Sequence, residues 1–385
     1  MTAFFGAKHW KPAVLQDLVS LQRGFDITRD QQKEGDIPVF SSSGLSSWHN
    51  EAMAHGPGVI IGRKGTLGSV HYSDGDYWPH DTTLWSKSLH DNNARFVYYA
   101  LKCLGLERFN VGGANPTLNR NHIHGLPIFI PERSLQDGIV SVLSAYDDLI
   151  ENNRKRIALL EEAARLLYRE WFVQLRFPGH EHVAVKDGVP DGWEKVTLGV
   201  VCDAVGGGTP STEKPEYWND GDVPWYTPTD ITRNSCLALL DSEKKITESG
   251  LRHSSAKMLP AGTVLMTSRA SVGFFGIIED PSCTNQGFIS ILPHLPTARM
   301  YLLHNLMYRV EEIRSHAGGA TYKEINKGKF KALPVVMPGV AILQEFEEQS
   351  SGLHKQVRVL HRMNRKLAEA RDLLLPRLMN GEIAV

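Results

Sequence analysis

Two short stretches set cations beside small hydroxyl residues: Arg63-Lys64-Gly65-Thr66 directly after the apolar run Gly58-Val59-Ile60-Ile61-Gly62, and Ser268-Arg269-Ala270-Ser271 after a matching apolar run. Nearby polar stretches add Asn115, Asn119, Arg120 and Asn121 in the first half of the chain, and Thr209, Asn285, Gln286, Tyr322, Lys323 and Lys327 in the second. Arginine's donor fork fits a guanine edge, the carboxamides of Asn and Gln fit adenine, and Lys, Ser and Thr hold phosphate oxygens. Together these types point to contact with double-stranded nucleic acid. Any one of them fits an ordinary solvated loop equally well.

Signatures of covalent chemistry fail on inspection. Gly58 to Gly65 resembles a phosphate-cradling loop, but its glycines are one residue too close and no Ser or Thr follows Lys64. An adenine-methylating turn needs Asn/Asp-Pro-Pro-aromatic, which Asn115-Pro116-Thr117 and Asp280-Pro281-Ser282 do not supply. Glu243-Lys244-Lys245, with Asp222 and Asp230 upstream, has the acid-x-lysine spacing of metal-dependent nucleases, a pattern short enough to arise by chance. The 16 histidines form no His-x-x-x-His cluster, and Cys103, Cys202, Cys236 and Cys283 form no Cys-x-x-Cys pair, so neither a metal site nor a disulfide framework is expected.

What positions these loops is a repeated helical pattern. From Ser134 to Leu175 the residues Ile139, Tyr146, Asn153, Leu160 and Leu167 recur every seven, with Leu143, Ile150, Ile157 and Ala164 at a neighbouring position. From Ile342 to Leu378 the same period holds Phe346, Leu353, Leu360, Leu367 and Leu374, with Val357, Met363 and Ala370 alongside. Each of these five lies 207 positions beyond its counterpart (346 minus 139, through to 374 minus 167), so the chain is duplicated. The seven-residue stripe equally describes plain structural packing. As a spacer, Ile139 to Leu167 spans roughly 42 Å at about 1.5 Å per residue, against about 34 Å for a turn of B-DNA.

The globular units repeat too. The first, from about Trp10 to Pro131, reads as mixed α and β, with a strand at Gly58 to Gly62, a helix from Asn93 to Leu104 and a strand at Leu126 to Pro131. In the second, Trp193 and Leu198 match Trp10 and Leu15 at offset 183, while Arg269, Ser271 and Gly273 match Lys64, Thr66 and Gly68 at offset 205. The 22 extra residues are expected between Gly206 and Asp230, a stretch rich in turn formers and aromatics. Downstream, Gly318-Gly319-Ala320 matches Gly112-Gly113-Ala114, and Asn326 matches Asn119.

Composition places no obstacle: 385 residues are 42% hydrophobic and 22% charged with formal net charge -1, so a nucleic-acid binder must concentrate its cations locally. No apolar run is long enough to cross a bilayer, and Met1 to Trp10 has no basic segment leading into an apolar core. A cytoplasmic location is therefore expected.

The order of unit, helix, unit, helix resembles the DNA-specificity (S) subunits of type I restriction-modification systems over nearly the whole chain. Local motifs join in: Tyr168-Arg169-Glu170-Trp171-Phe172-Val173 leading to Arg176-Phe177-Pro178-Gly179, Gly207-Gly208-Thr209-Pro210-Ser211 followed by Trp225, and Leu375-Pro376-Arg377-Leu378 to Gly381. The resemblance implies an α+β chain with pseudo-twofold internal duplication. Its parts are target recognition domains at 1–132 and 181–338, and spacer helices at 133–180 and 339–385 that pair as an antiparallel coiled coil. It implies a noncatalytic subunit in which each recognition domain reads half of a bipartite DNA target. The implied partners are two methyltransferase subunits, which use S-adenosylmethionine to methylate adenine, and motor-nuclease subunits, which use ATP and magnesium. No cofactor is expected in this chain. The alternatives are a standalone metal-dependent nuclease built on Glu243-Lys244-Lys245, and a duplicated protein- or carbohydrate-binding module.

Overall fold

The computed structural model describes residues 9–109, 117–319 and 323–385. Its contacts divide into two compact units, Met1–Ile150 with Lys366–Val385, and Glu151–Arg365.

Unit 1 begins with β1 (Trp10–Val14), α1 (Leu15–Leu18), β2 (Ser20–Arg23), β3 (Ile37–Ser41) and β4 (Gly44–His49). Then come β5 (Gly58–Gly62), β6 (Val70–Ser73), β7 (Trp78–Pro79), β8 (Thr83–Ser88), α2 (Ala94–Cys103), α3 (Arg120–Ile123) and β9 (Pro127–Pro131). The strands form three sheets, ordered β2-β8-β5-β6, β4-β3-β7 and β1-β9. Every residue of β5 is buried, as a β-branched strand flanked on both sides by others requires. The Asn93 side chain accepts from the Arg95 and Phe96 amides and starts α2, whose Phe96, Val97, Tyr99 and Leu101 enter the core.

The helix α4 (Arg133–Tyr168) leads out of unit 1 and into unit 2. There follow β10 (Val185–Lys186), β11 (Val189–Pro190), β12 (Glu194–Thr197), α5 (Leu198–Val201), β13 (Cys202–Val205), β14 (Val223–Tyr226), α6 (Pro228–Arg233), β15 (Ala238–Leu239) and β16 (Lys244–Ile246). The second half of the unit holds α7 (Glu248–Arg252), β17 (Val264–Thr267), β18 (Phe275–Ile278), β19 (Cys283–Thr284), β20 (Phe288–Pro293), α8 (Arg299–Tyr308), α9 (Val310–Ser315), α10 (Lys327–Ala332) and β21 (Pro334–Met337). The last helix, α11 (Val340–Met379), starts here and ends in unit 1. Sheet orders β13-β20-β17-β18-β15, β16-β14-β19 and β12-β21 repeat those of unit 1 strand for strand, with β15 added at an edge. Even the parallel pairing of β3 with β7 recurs between β14 and β19.

Strand partners locate the extra length. Val39 and Trp225 hold equivalent places opposite Trp78 and Cys283 (225 minus 39 is 186). His49 and Ile246 end the next pair (246 minus 49 is 197), and Gly62 and Thr267 lie opposite Thr83 and Phe288 (267 minus 62 is 205). From the starting offset of 183, only 3 extra residues precede β14, 11 build α6 and β15 before β16, and 8 fall around α7. The placement between Gly206 and Asp230 is therefore corrected. Turn formers there mark loops that both copies own, and Tyr217 and Trp225 are buried. The inserted segment packs on the helices: Ala238 and Cys236 meet Ile157, Leu160, Val357 and Leu360, and the Leu237 amide donates to Glu161 Oε1 at 2.6 Å.

Within each unit the long helices run antiparallel. In unit 1, Ile139 and Leu143 pack with Leu375 and Leu378; in unit 2, Ile157 packs with Val357 and Leu360. The heptad residues Phe346 and Leu360 are buried, whereas Tyr146, Leu160, Leu167, Leu353, Leu367 and Leu374 are half-buried. Met363 and Ala370 do not hold the second seam position on α11, and Met363 is 42% exposed. That position belongs to Ser350, Val357, Asn364, Arg371 and Leu378; Asn364 and Arg371 find partners across the seam, while the Ser350 hydroxyl is buried without one among the described residues. Asn153 (1% exposed) donates to Asn364 (9% exposed) at 2.9 Å, and Arg371 pairs with Asp147, which also accepts from the Tyr99 hydroxyl.

α4 runs on into one wider, π-helical turn, Arg169–Val173. It buries Trp171 and brings Phe172 to 4.7 Å from Tyr301 and 4.9 Å from Phe346, so the aromatic motif following the first long helix is part of the unit 2 core. All four cysteines are free thiols, and among the described residues no helix is long and apolar enough to cross a membrane.

Leu360→Ala should cost about 2–5 kcal/mol of unfolding free energy, the range for emptying a packed leucine site. Asn153→Leu should cost about 1–3 kcal/mol, because the Asn364 oxygen loses this donor in a dry seam. The double substitution Asn153→Leu with Asn364→Leu should recover most of that loss in denaturant titrations. A neutral single variant would contradict the polar seam.

Candidate nucleic-acid interface

The sequence-matched turns occupy the same place in their units. In unit 1 the amides of Arg63 and Lys64 both donate to the Thr82 carbonyl, at 2.8 and 3.1 Å, and the Arg63 carbonyl accepts from Leu118 at 2.9 Å. In unit 2 the Ser268 amide donates to Gly287 at 2.8 Å, and its carbonyl accepts from Ile325 at 3.0 Å. Each turn is thus tied on one side to the loop entering β8 or β20, and on the other to the segment before α3 or α10. Gly65 takes the left-handed backbone with φ 76°, and Ala270, at the same place, takes it with φ 61° despite its methyl group. Lys64, Thr66, Arg269 and Ser271 point outward and are exposed.

Beside the first turn lies an open cleft of about 1110 Å³. Arg23, Arg63, Lys87 and Arg120 supply its positive side, Asp26 and Asp81 two carboxylates, and Phe25, Met53 and Trp78 an apolar wall. Arg23 meets Asp81 at 2.7 Å. Although burial works against it, Asp81 is held below the usual carboxylate range by Arg23, His80 and Lys64. Burial and the neighbouring Arg23 charge lower the Arg63 pKa, and its Nη1 is buried with no hydrogen-bond partner among the described residues. Asn119 serves as the cap of α3, accepting from the Asn121 amide at 3.0 Å, which is also the role of Asn326 toward Lys329 on α10. Arg120 and Asn121 remain exposed at the cleft mouth.

The second cleft, of about 430 Å³, is lined by Thr229, Thr232, Arg269, Ser271, Asn285 and Gln286 among others. Thr209 donates to Gln286 Oε1 at 2.7 Å, while Asn285 turns its oxygen onto the Gly287 amide at 2.8 Å. Thr209 is held there by its glycines. A side chain on Gly207 would strike the Thr284 carbonyl at 2.1 Å, one on Gly208 would strike Ser255 Oγ at 2.1 Å, and Trp225 Nε1 donates to the Gly208 carbonyl at 2.8 Å. Lys323 and Lys327 are exposed, with the Lys327 ammonium beside Gly206. Ser268 differs from its sequence-based expectation as a surface contact: it is 3% exposed, directly after the central strand β17 and tied by its backbone to Gly287 and Ile325. Asn115 and Tyr322 lie outside the described residues.

Sequence reading passed over Arg23, Phe25, Met53, Trp78, His80, Asp81 and Lys87. A signal existed for two of them, since offset 205 maps Asn285 and Gln286 onto His80 and Asp81. Asp26, His80 and Asp81 bring possible metal-ligand atoms within 4.8 Å of one another, but Arg23 already neutralises Asp81. The carboxylates around Glu243-Lys244-Lys245 are otherwise engaged: Glu243 pairs with Arg233 at 3.3 Å, Lys245 with Asp241 at 3.5 Å, and Asp230 accepts from the Thr227 and Glu243 amides. They form no metal-ligand group among the described residues.

The family described as "Type I restriction modification DNA specificity domain" matches residues 7–162 and 190–364. The chain is 30% identical over 184 residues to the MjaIX type I restriction enzyme specificity subunit of Methanocaldococcus jannaschii, covering 46% of this chain and 42% of that protein. It is 24% identical over 333 residues to the HindI specificity subunit of Haemophilus influenzae, covering 70% and 72%. The first alignment thus spans less than half of that relative's length. A crystal structure of the type I restriction-modification S subunit from M. genitalium shares the fold, with TM-score 0.62 over 97% of both chains at 17% identity. Two matched segments that take in most of this sequence place the chain in the type I restriction-modification DNA specificity family.

Proposed function

We propose that this chain is the noncatalytic specificity subunit of a type I restriction-modification complex. In this reading, segments 1–132 and 181–338 each read one half of a bipartite double-stranded DNA target. Helical segments 133–180 and 339–385 set the separation of the half-sites and dock two methyltransferase subunits, which supply S-adenosylmethionine and the chemistry at adenine. Motor-nuclease subunits with ATP and magnesium complete the complex, in the cytoplasm and away from any membrane. The carrying observation is that one framework of three sheets occurs twice while side chains beside its matched turns differ, Arg63, His80 and Asp81 in one unit corresponding to Ser268, Asn285 and Gln286 in the other. A standalone nuclease is disfavoured by the ion pairs that occupy Glu243 and Lys245.

Within this reading the repeated and the unrepeated residues do different work. Lys64 and Arg269 are exposed cations at matched positions, so they grip phosphate, which is the same for every sequence. Base readers belong where the copies differ. Lys64→Ala or Arg269→Ala should weaken binding of the whole methyltransferase complex to cognate and scrambled duplexes alike, and should flatten the salt dependence by about one unit of slope per lost contact. Loss of discrimination at unchanged slope would overturn the phosphate assignment. Exchanging Trp193 to Pro338 for the equivalent segment of a relative should change one half of the methylated motif and leave the other intact; a swap that alters both halves would contradict two independent readers.

A further inference from the structure

Arg63 occupies a place in its unit that Ser268 occupies in the other, and the two side chains are treated oppositely. Ser268 is 3% exposed, whereas Arg63 is only partly covered and lines the unit 1 cleft. Its backbone is fixed on both sides by Thr82 and Leu118, so the side chain springs from a rigid strand end. Among the other cations of the cleft, Arg23 is committed to Asp81 and Arg120 reaches the Leu21 carbonyl at 3.4 Å. The Arg63 guanidinium makes no hydrogen bond among the described residues, and with Nη1 buried it is the Nε and Nη2 donors that are open to the cleft. A planar donor fork is thus held in the cleft with part of its hydrogen-bonding capacity unspent.

What would satisfy that fork follows from the rest of the cleft. Phe25, Met53 and Trp78 add apolar surface suited to the face or methyl group of a base rather than to a hydrated phosphate. Asp26, which lines the cleft without an ion-pair partner among the described residues, repels phosphate but accepts from exocyclic amino groups. We infer that Arg63 is a specificity-determining residue that reads the O6 and N7 acceptors of a guanine in the half-site bound by unit 1. This rests on the specificity-subunit reading above and deepens it, since the opposite turn, with a buried serine, has no such reader.

The test uses the full chain with its partner methyltransferase subunits. Methylated adenines are mapped genome-wide for the wild type, Arg63→Ala and Arg63→Lys, with halves assigned by the segment exchange. The expected result is a guanine in the unit 1 half-site whose discrimination falls roughly tenfold or more in both variants, because lysine keeps the charge but not the fork. The other half-site should stay unchanged, which also reports that the variants are folded. Full rescue by lysine, uniform weakening at every sequence with a reduced salt slope, or a unit 1 half-site without guanine would each overturn the inference. A wild-type complex that methylates no defined sequence would instead bring down the underlying functional reading, and this inference with it.

Discussion

Polar residues buried in an otherwise apolar helix seam fix how the two long helices meet, and both units depend on that seam. Leucines at heptad spacing gain similar burial in several registers, so they drive association without choosing one. Asn153 against Asn364 does choose, because a slip of one heptad would set Asn153 against Val357 or Arg371. An orphaned carboxamide in a dry seam costs about 1–3 kcal/mol, enough to exclude the slipped states. Asp147, bridged to Arg371 and Tyr99, ties the same seam to α2 in unit 1, and the buried Glu279, meeting His354 at 2.7 Å and Arg358 at 3.0 Å, ties it to β18 in unit 2.

Around that seam the fold separates what must be constant from what can vary. Repeated positions carry backbone duties: Asn119 and Asn326 cap matching helices, Gly65 and Ala270 turn the chain through left-handed geometry, and Gly68 and Gly273 follow at φ 71° and 86°. Unrepeated positions carry side-chain chemistry. Arg63, His80 and Asp81 in one unit correspond to Ser268, Asn285 and Gln286 in the other, in the segments that follow equivalent strands. A net charge of -1 is compatible with DNA contact under this division, since cations gather at the turns and clefts while acids such as Glu312 and Glu347 are spent on arginines elsewhere.

The sequence carried the periodic features and little of what depends on them indirectly. The duplication, both long helices, the strands at Gly58 to Gly62 and Leu126 to Pro131 and the helix from Asn93 to Leu104 were legible because periodicity and capping are local signals. Met363 and Ala370 were chosen over Asn364 and Arg371 because hydrophobicity is blind to polar residues whose partners sit on another helix. The inserted α6 and β15 were misplaced for a related reason: turn residues announce loops without saying which copy owns them. At the site, Lys64 and Arg269 could be found by offset, but the cleft that gives Arg63 its setting gathers Arg23, Met53, Lys87 and Arg120 from separate strands and loops. Such convergence is a property of the sheet, and no spacing along the chain encodes it.

That two units share one framework and read DNA separately is tested most directly by mapping methylated adenines across the genome with and without this gene. A bipartite motif with a fixed gap between its halves, present only when the gene is intact, is the predicted result. A continuous motif, or a methylation pattern indifferent to the gene, would contradict it.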